Sequence, residues 1–381
     1  MKQEELHSRI LGLVGLVIGL MGLWGCSSSS DDEIVKAEPM PVQLMSYVTG
    51  YTDVQETNRA NGLTRTAWEP PTGYSNQVDI TNQNISVYLT QNPAVSMEEE
   101  FFFQRGDKWL VSSQMTSGDT YYLYGYIPND KSISYTIAPN STYDNGAVMT
   151  LNNLPAITTN DICIIVGAKN GISATNANGL TTGQFAYTAG TSNYVFLLFD
   201  HIYSCINVRF MVEEEYNKLR TIKLKKLELQ AKVLNEATGV KTPLRRKTNG
   251  VITLEKTTDG SSPIQSIVFT PDETSGNADE PLFTSAEGYT LSTSFSDFNG
   301  CVMSQGISDF TLRSTYDVYD KQGNKVRENC TAENKINIKQ LFSPLKTASR
   351  GFRYTVKLIV NPTYLYVLSE PDLDSPTVVV E

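Results

Sequence analysis

Pro41-Val42-Gln43-Leu44-Met45-Ser46-Tyr47-Val48-Thr49-Gly50 opens the ordered grammar of this chain. Its β-branched, aromatic and aliphatic residues predict a β-strand. A polar loop follows and leads to Gly62-Leu63-Thr64-Arg65-Thr66-Ala67-Trp68, where Arg65 stands alone between two threonines. The same pattern, short apolar runs punctuated by turn residues, governs the rest of the sequence and predicts an all-β fold.

Ile85-Ser86-Val87-Tyr88-Leu89 alternates, and Lys108-Trp109-Leu110-Val111 follows after a gap. Tyr121-Tyr122-Leu123-Tyr124-Gly125-Tyr126-Ile127-Pro128 is an aromatic strand closed by a proline, which cannot donate to a central ladder. Residues 162–167 and 194–199 are continuous apolar runs of the length of buried strands. Residues 202–212 alternate again. The segment 213–218 can make one helical turn at most, and it is the expected joint between domains.

Beyond the joint, Thr221-Ile222-Lys223-Leu224-Lys225-Lys226-Leu227-Glu228-Leu229 reads as a half-exposed strand. Shorter candidates lie at 251–254, 266–269 and 310–318, and strands at 354–360, 364–368 and 377–380 end the chain. Many short strands with Gly, Pro and Asn turns favour β-sandwiches.

The chain has 381 residues, enough for two domains with separate cores. Twenty tyrosines and fourteen phenylalanines suit strands better than helices. A formal net charge of −10 argues against a nucleic-acid binder, which needs a basic surface. It suits an exposed extracellular surface.

Residues 1–25 read as a signal peptide: Lys2 and Arg9 precede an apolar run from Ile10 to Trp24. That run is too short and glycine-rich for a membrane span. Leu23-Trp24-Gly25-Cys26 resembles the lipobox of bacterial lipoproteins, which makes Cys26 the expected lipidation site. Ser27 to Glu33 then supply a solvated, acidic tether, similar to signals that export lipoproteins to the cell surface.

Little in the sequence points to chemistry. His7 belongs to the signal peptide, which leaves His201 alone and excludes a histidine-rich metal cluster. No Gly-x-Ser-x-Gly elbow supplies a nucleophile for a triad. His201, between Phe199 and Ile202, reads as a satisfied core or turn histidine.

Asp372 and Asp374 beside prolines, and Asp272-Glu273, read as turns and not as calcium or glycosidase sites. The basic run Lys241 to Lys247 reads as a hairpin end, with a protease-sensitive site and an acidic-partner contact as the alternatives. Cys163, Cys205, Cys301 and Cys330 form no Cys-x-x-Cys pair, so metal and redox motifs are not legible. Their pairing stays open. No enzyme, cofactor or metal is expected.

Three blocks in order resemble the fimbrillin (Mfa-like) family, subunits of protease-assembled type V pili. They are the strand, loop and Leu63 to Trp68 stretch with Ile85 to Leu89; the aromatic strand Tyr121 to Pro128; and Phe199-Asp200-His201-Ile202-Tyr203-Ser204-Cys205, a Phe-x-His strand start. Residues 354–367 are a looser fourth match. The chain departs from the family pattern in its Pro371 and its Val378-Val379-Val380-Glu381 ending, and in the proline-rich 69–84 segment. Stalk, tip and anchor roles stay open.

The resemblance implies two tandem transthyretin-like β-sandwich domains, at 66–212 and 213–381, after a propeptide at 26–65. It implies a pilin carried to the outer membrane by lipid on Cys26 and finally resident in a cell-surface fimbrium. A trypsin-like protease would cut after Arg65, with Arg59 as the lesser candidate, and so remove the first strand. A neighbouring pilin subunit would refill the gap by strand exchange, with Thr377, Val378, Val379 and Val380 as this chain's own donor. A host or bacterial surface receptor would be a further partner. The alternative is a monomeric surface lipoprotein adhesin that binds glycan or protein and keeps its lipid anchor, with Tyr121 to Tyr126 as aromatic surface.

Overall fold

The apolar runs become strands, and they pair far from their sequence neighbours. The computed structural model describes residues 40–48, 51–55, 85–90, 100–105, 108–111, 117–128, 130–171, 181–189 and 194–360. Its first strands are β1 (Met40–Val48), β2 (Thr52–Gln55), β3 (Ile85–Thr90), β4 (Glu100–Arg105), β5 (Lys108–Val111) and β6 (Thr120–Ile127). They continue with β7 (Ser134–Asn140), β8 (Thr142–Pro155), β9 (Ile157–Thr158), β10 (Cys163–Gly171), β11 (Ala186–Thr188), β12 (Tyr194–His201) and β13 (Tyr203–Val212).

Helix α1 (Glu214–Leu219) separates these from β14 (Thr221–Leu234), β15 (Lys241–Pro243), β16 (Lys247–Glu255) and β17 (Ile264–Pro271). Then come β18 (Glu280–Thr290), β19 (Ser296–Met303), β20 (Ile307–Tyr319), β21 (Lys325–Asn337), α2 (Ile338–Leu341) and β22 (Phe352–Val360). The described residues are thus all-β, in sandwich-like sheets.

The largest sheet runs β10-β12-β1-β5-β4-β3-β6-β11, and β10 also pairs with β6. Hydrogen bonding therefore closes into a circuit through β10, β12, β1, β5, β4, β3 and β6, with β11 beside β6. A closed circuit has no free edge to template aggregation. A second sheet runs β2-β22-β13-β19-β9, a third β15-β14-β20-β21 with β18 also on β14, and a fourth β17-β16-β8-β7.

Pairing crosses the joint at 213–218, which is α1: β13 pairs with β19 and β22, and β8 with β16. One hydrophobic core extends from Val54 through Leu198 and Ile252 to Val356.

Strand β12 is the spine of the largest sheet. Val195, Phe196, Leu197, Leu198 and Phe199 are all fully buried, on both faces of the strand, as the continuous apolar run predicts. Strand β14 keeps its amphipathic pattern through a register shift between Leu224 and Lys226, which puts Leu224 and Leu227 both on the buried side.

Several strands depart from the sequence reading. β2 lies inside the segment read as polar and turn-rich, β4 lies in the gap before β5, and β7, β8, β18, β19 and β21 were not expected. β8 hides behind turn-type residues. Gly146 within it has φ +130, and a side chain there would collide with the carbonyl oxygen of Leu254.

Candidate functional site: the seat of residues 40–55

The segment that precedes Arg65 contributes a strand to each of two sheets. β1 lies between β12 and β5. Its pairing with β12 is parallel, from Gln43 opposite Tyr194 to Val48 opposite Phe199, and its pairing with β5 is antiparallel, from Met40 opposite Val111 to Val42 opposite Trp109. A parallel neighbour requires a long crossover, and here the chain between them builds most of the circuit. β1 is therefore the strand that joins β12 to β5.

β2 sits at the edge of the second sheet, parallel to β22, with Val54 opposite Tyr354. Val54 is buried in the common core. Asp53 meets Arg353 at 3.5 Å.

Just before β2, Tyr51 stacks on His201 with ring centroids 3.7 Å apart. The guanidinium of Arg353 lies 5.1 Å from the Tyr51 ring centroid, and the Tyr51 hydroxyl is 3.8 Å from Cys301 Sγ. Burial, reinforced by the neighbouring Cys301 and Asp161, pushes the Tyr51 hydroxyl far above its usual range, so it stays neutral.

Beneath Tyr51 is the end of β12. His201 is 3% exposed. Its backbone N–H donates to Asp200 Oδ1 at 2.9 Å, and its ring Nδ1 lies 2.8 Å from Asp161 Oδ2. Arg350 donates to Asp200 Oδ2 at 2.6 Å and to the His201 carbonyl at 3.2 Å. The structure thus places His201 in the core, as expected.

Cys163 Sγ also approaches Nδ1, at 3.3 Å. A cysteine, a histidine and an aspartate thus meet, although their spacing in sequence gave no sign of it. The geometry is not that of a nucleophilic triad, in which thiol and carboxylate use opposite ring nitrogens; here both face Nδ1. Burial and the Asp161 and Asp200 carboxylates raise the Cys163 thiol well above its usual range, which keeps it protonated and unreactive.

Cys205 and Cys301 are opposite each other in the β13–β19 register. All four cysteines outside the signal region are free thiols. A hydrogen bond to Cys205, together with burial, pushes the Cys301 thiol up.

The other sequence candidates are ordinary. Asp272 accepts from the Thr274 backbone N–H at 2.9 Å and its hydroxyl at 2.6 Å, and Glu273 pairs with Arg245 at 2.6 Å, so this acidic pair closes a turn. The basic run is neutralised by the chain's own acids: Lys241 with Asp309 at 2.7 Å and Arg246 with Glu280 at 3.6 Å.

Tyr121, Tyr124 and Tyr126 are buried in the core and not displayed, because β6 is paired along both edges inside the largest sheet. This corrects the expectation of an aromatic surface there. Cys26, Arg59, Arg65, Asp372, Asp374 and Thr377 to Val380 lie outside the described residues.

No family model matches the chain, and no curated protein does. Solved structures similar to it include a protein ascribed to cell adhesion from Bacteroides uniformis, 8% identical with a TM-score of 0.38, covering 85% of this chain and 95% of that one. A fimbrial protein from Bacteroides vulgatus is 11% identical with a TM-score of 0.35, over 85% of this chain and 95% of that one. The fimbrial anchor protein Mfa2 from Porphyromonas gingivalis is 11% identical with a TM-score of 0.26, over 84% and 91%.

Proposed function

We propose that this chain is a structural subunit of a cell-surface fimbria, exported as a lipoprotein through Cys26 and assembled by protease-triggered strand exchange. The observation that carries the reading is β1: an interior strand of a closed circuit, taken from the segment that ends at Arg65. Cutting after Arg65 and releasing residues 26–65 takes β1 away and leaves β12 and β5 with unpaired backbone donors and acceptors. Such a groove is filled best by an extended strand, which restores the main-chain bonds and seats alternate side chains. The contact is head-to-tail and so propagates as a filament.

The same cut releases β2 and Tyr51, so the propeptide leaves both sheets at once. The donor in this reading is Thr377 to Val380 of another subunit, the protease is trypsin-like, and adhesion to a host or bacterial receptor is the filament's role.

The test is to treat the purified precursor with trypsin and follow it by native gel and N-terminal sequencing. The expected product begins at Thr66 and forms a ladder of oligomers, and Arg65→Ala blocks both while Arg59→Ala blocks neither. A clean cut at Arg65 that leaves a stable monomer overturns the proposal.

A further inference from the structure

Asp161 and Cys163 are two residues apart at the start of β10, a spacing that turns side chains to the same side of an extended chain. Cys163 is the register partner of His201 across the β10–β12 pair. Three donor atoms of different kinds, a carboxylate oxygen, a sulfur and an imidazole nitrogen, therefore lie within 4.8 Å of one another.

Hydrogen bonding holds this cluster loosely: apart from Nδ1, the Cys163 thiol reaches only the Asp161 carbonyl oxygen, at a long 3.9 Å. Nδ1 faces Asp161 Oδ2 at 2.8 Å and Cys163 Sγ at 3.3 Å. A ring nitrogen carries either a hydrogen or a lone pair, so it serves one of the two at a time. Asp161 Oδ1 is in addition buried without a hydrogen-bond partner, a costly arrangement for a carboxylate.

We propose that Asp161, Cys163 and His201 form a binding site for one divalent cation of the zinc type, held between β10 and β12 beneath Tyr51. Tetrahedral zinc with bonds of about 2.0 Å to nitrogen and oxygen and about 2.3 Å to sulfur sets its ligand atoms about 3.3 to 3.6 Å apart. The cluster reaches that spacing with small side-chain adjustments.

The charge also balances. A carboxylate and a thiolate offset the two positive charges of the ion, the imidazole stays neutral, and the buried site carries no net charge. On binding, the Cys163 thiol loses its proton to solvent and the imidazole hydrogen moves to Nε2, so one proton is released per ion. The thiolate favours zinc over magnesium or calcium, which take oxygen ligands. Asp161, whose side chain is 34% exposed, leaves the fourth position to water.

The test is titration of the full chain, kept reduced, with Co(II) as an optical stand-in for zinc. The expected result is one ion per chain, a thiolate-to-cobalt charge-transfer band, release of one proton, and displacement by Zn(II). Cys163→Ser loses the band, Asp161→Asn weakens binding by about tenfold or more, and Cys330→Ser on β21 changes neither. Folded wild-type chain that shows no saturable binding overturns the proposal without reference to any variant. So does a band that survives Cys163→Ser.

Discussion

β1 and β2 follow one another in the chain, yet they are held by different physics. β1 is paired on both sides inside the closed circuit, with main-chain hydrogen bonding along two ladders. β2 is a short edge strand on β22, and its hold comes from what its side chains and Tyr51 reach: the core, His201 and Arg353. The interior strand demands a regular backbone for its two ladders, whereas the edge strand has one ladder and the contacts of Val54 and Tyr51. The release of residues 26–65 proposed above would take both away, opening two ladders in one sheet and one in the other.

Arg350 joins the two supports. It stands just before β22, on which β2 lies, and grips Asp200 in β12, on which β1 lies. The Asp200 side chain is 4% exposed and that of Arg350 20%, so the pair is largely out of water. Arg350→Ala removes the cation that faces a buried carboxylate and should cost about 3–5 kcal/mol in urea unfolding. A loss under about 1 kcal/mol would mean that Asp200 is resolvated, and that the two supports are not tied.

Proline scanning separates the two strands directly. Leu44→Pro, in the middle of β1 and opposite Val195, removes a ladder donor from an interior strand. Each backbone group left without a partner costs about 1–3 kcal/mol, and β12 amides should exchange faster. Asp53→Pro, on the edge strand β2, should cost less. Equal losses would dissolve the distinction between interior and edge.

The contrast also explains what could be read in the sequence. β12 was legible because a strand buried on both faces is a continuous apolar run, β6 because of its tyrosines, and β1 and β22 because of their aliphatic and β-branched residues. β2 was not, since Thr52-Asp53-Val54-Gln55 carries one apolar residue and owes its form to Tyr354 opposite. β21 is mostly exposed and polar, with Ala332 and Ile336 alone buried, so its pairing with β20 is what marks it as a strand. The Asp161, Cys163 and His201 cluster was illegible for another reason: it exists only through the β10–β12 register, which no local spacing encodes. The same holds for Cys205 and Cys301.

Val54 measures how much of the β2 seat is core. Replacing it with alanine removes two buried carbons at about 0.8 kcal/mol each, so Val54→Ala should lower stability by about 1.5 kcal/mol. It should also raise the rate at which trypsin reaches the segment, while leaving protection of the β5 amides unchanged. Faster exchange in β5 would show that β1 and β2 open together.

The smallest effect belongs to the visible ion pair. Asp53 and Arg353 lie 3.5 Å apart, but their side chains are 60% and 39% exposed. Water and salt screen such a pair, and it is worth about 0.2–1 kcal/mol. Asp53→Asn should therefore shift the urea midpoint barely, and less still at high salt. Arg353 keeps a second role that the substitution does not touch, since its guanidinium lies over the Tyr51 ring. Arg353→Lys should then cost more than Asp53→Asn, because a lysine retains the charge but loses the planar contact with the ring. If the two substitutions cost the same, the ring contact adds nothing and the edge strand rests on Val54 and its backbone pairing alone.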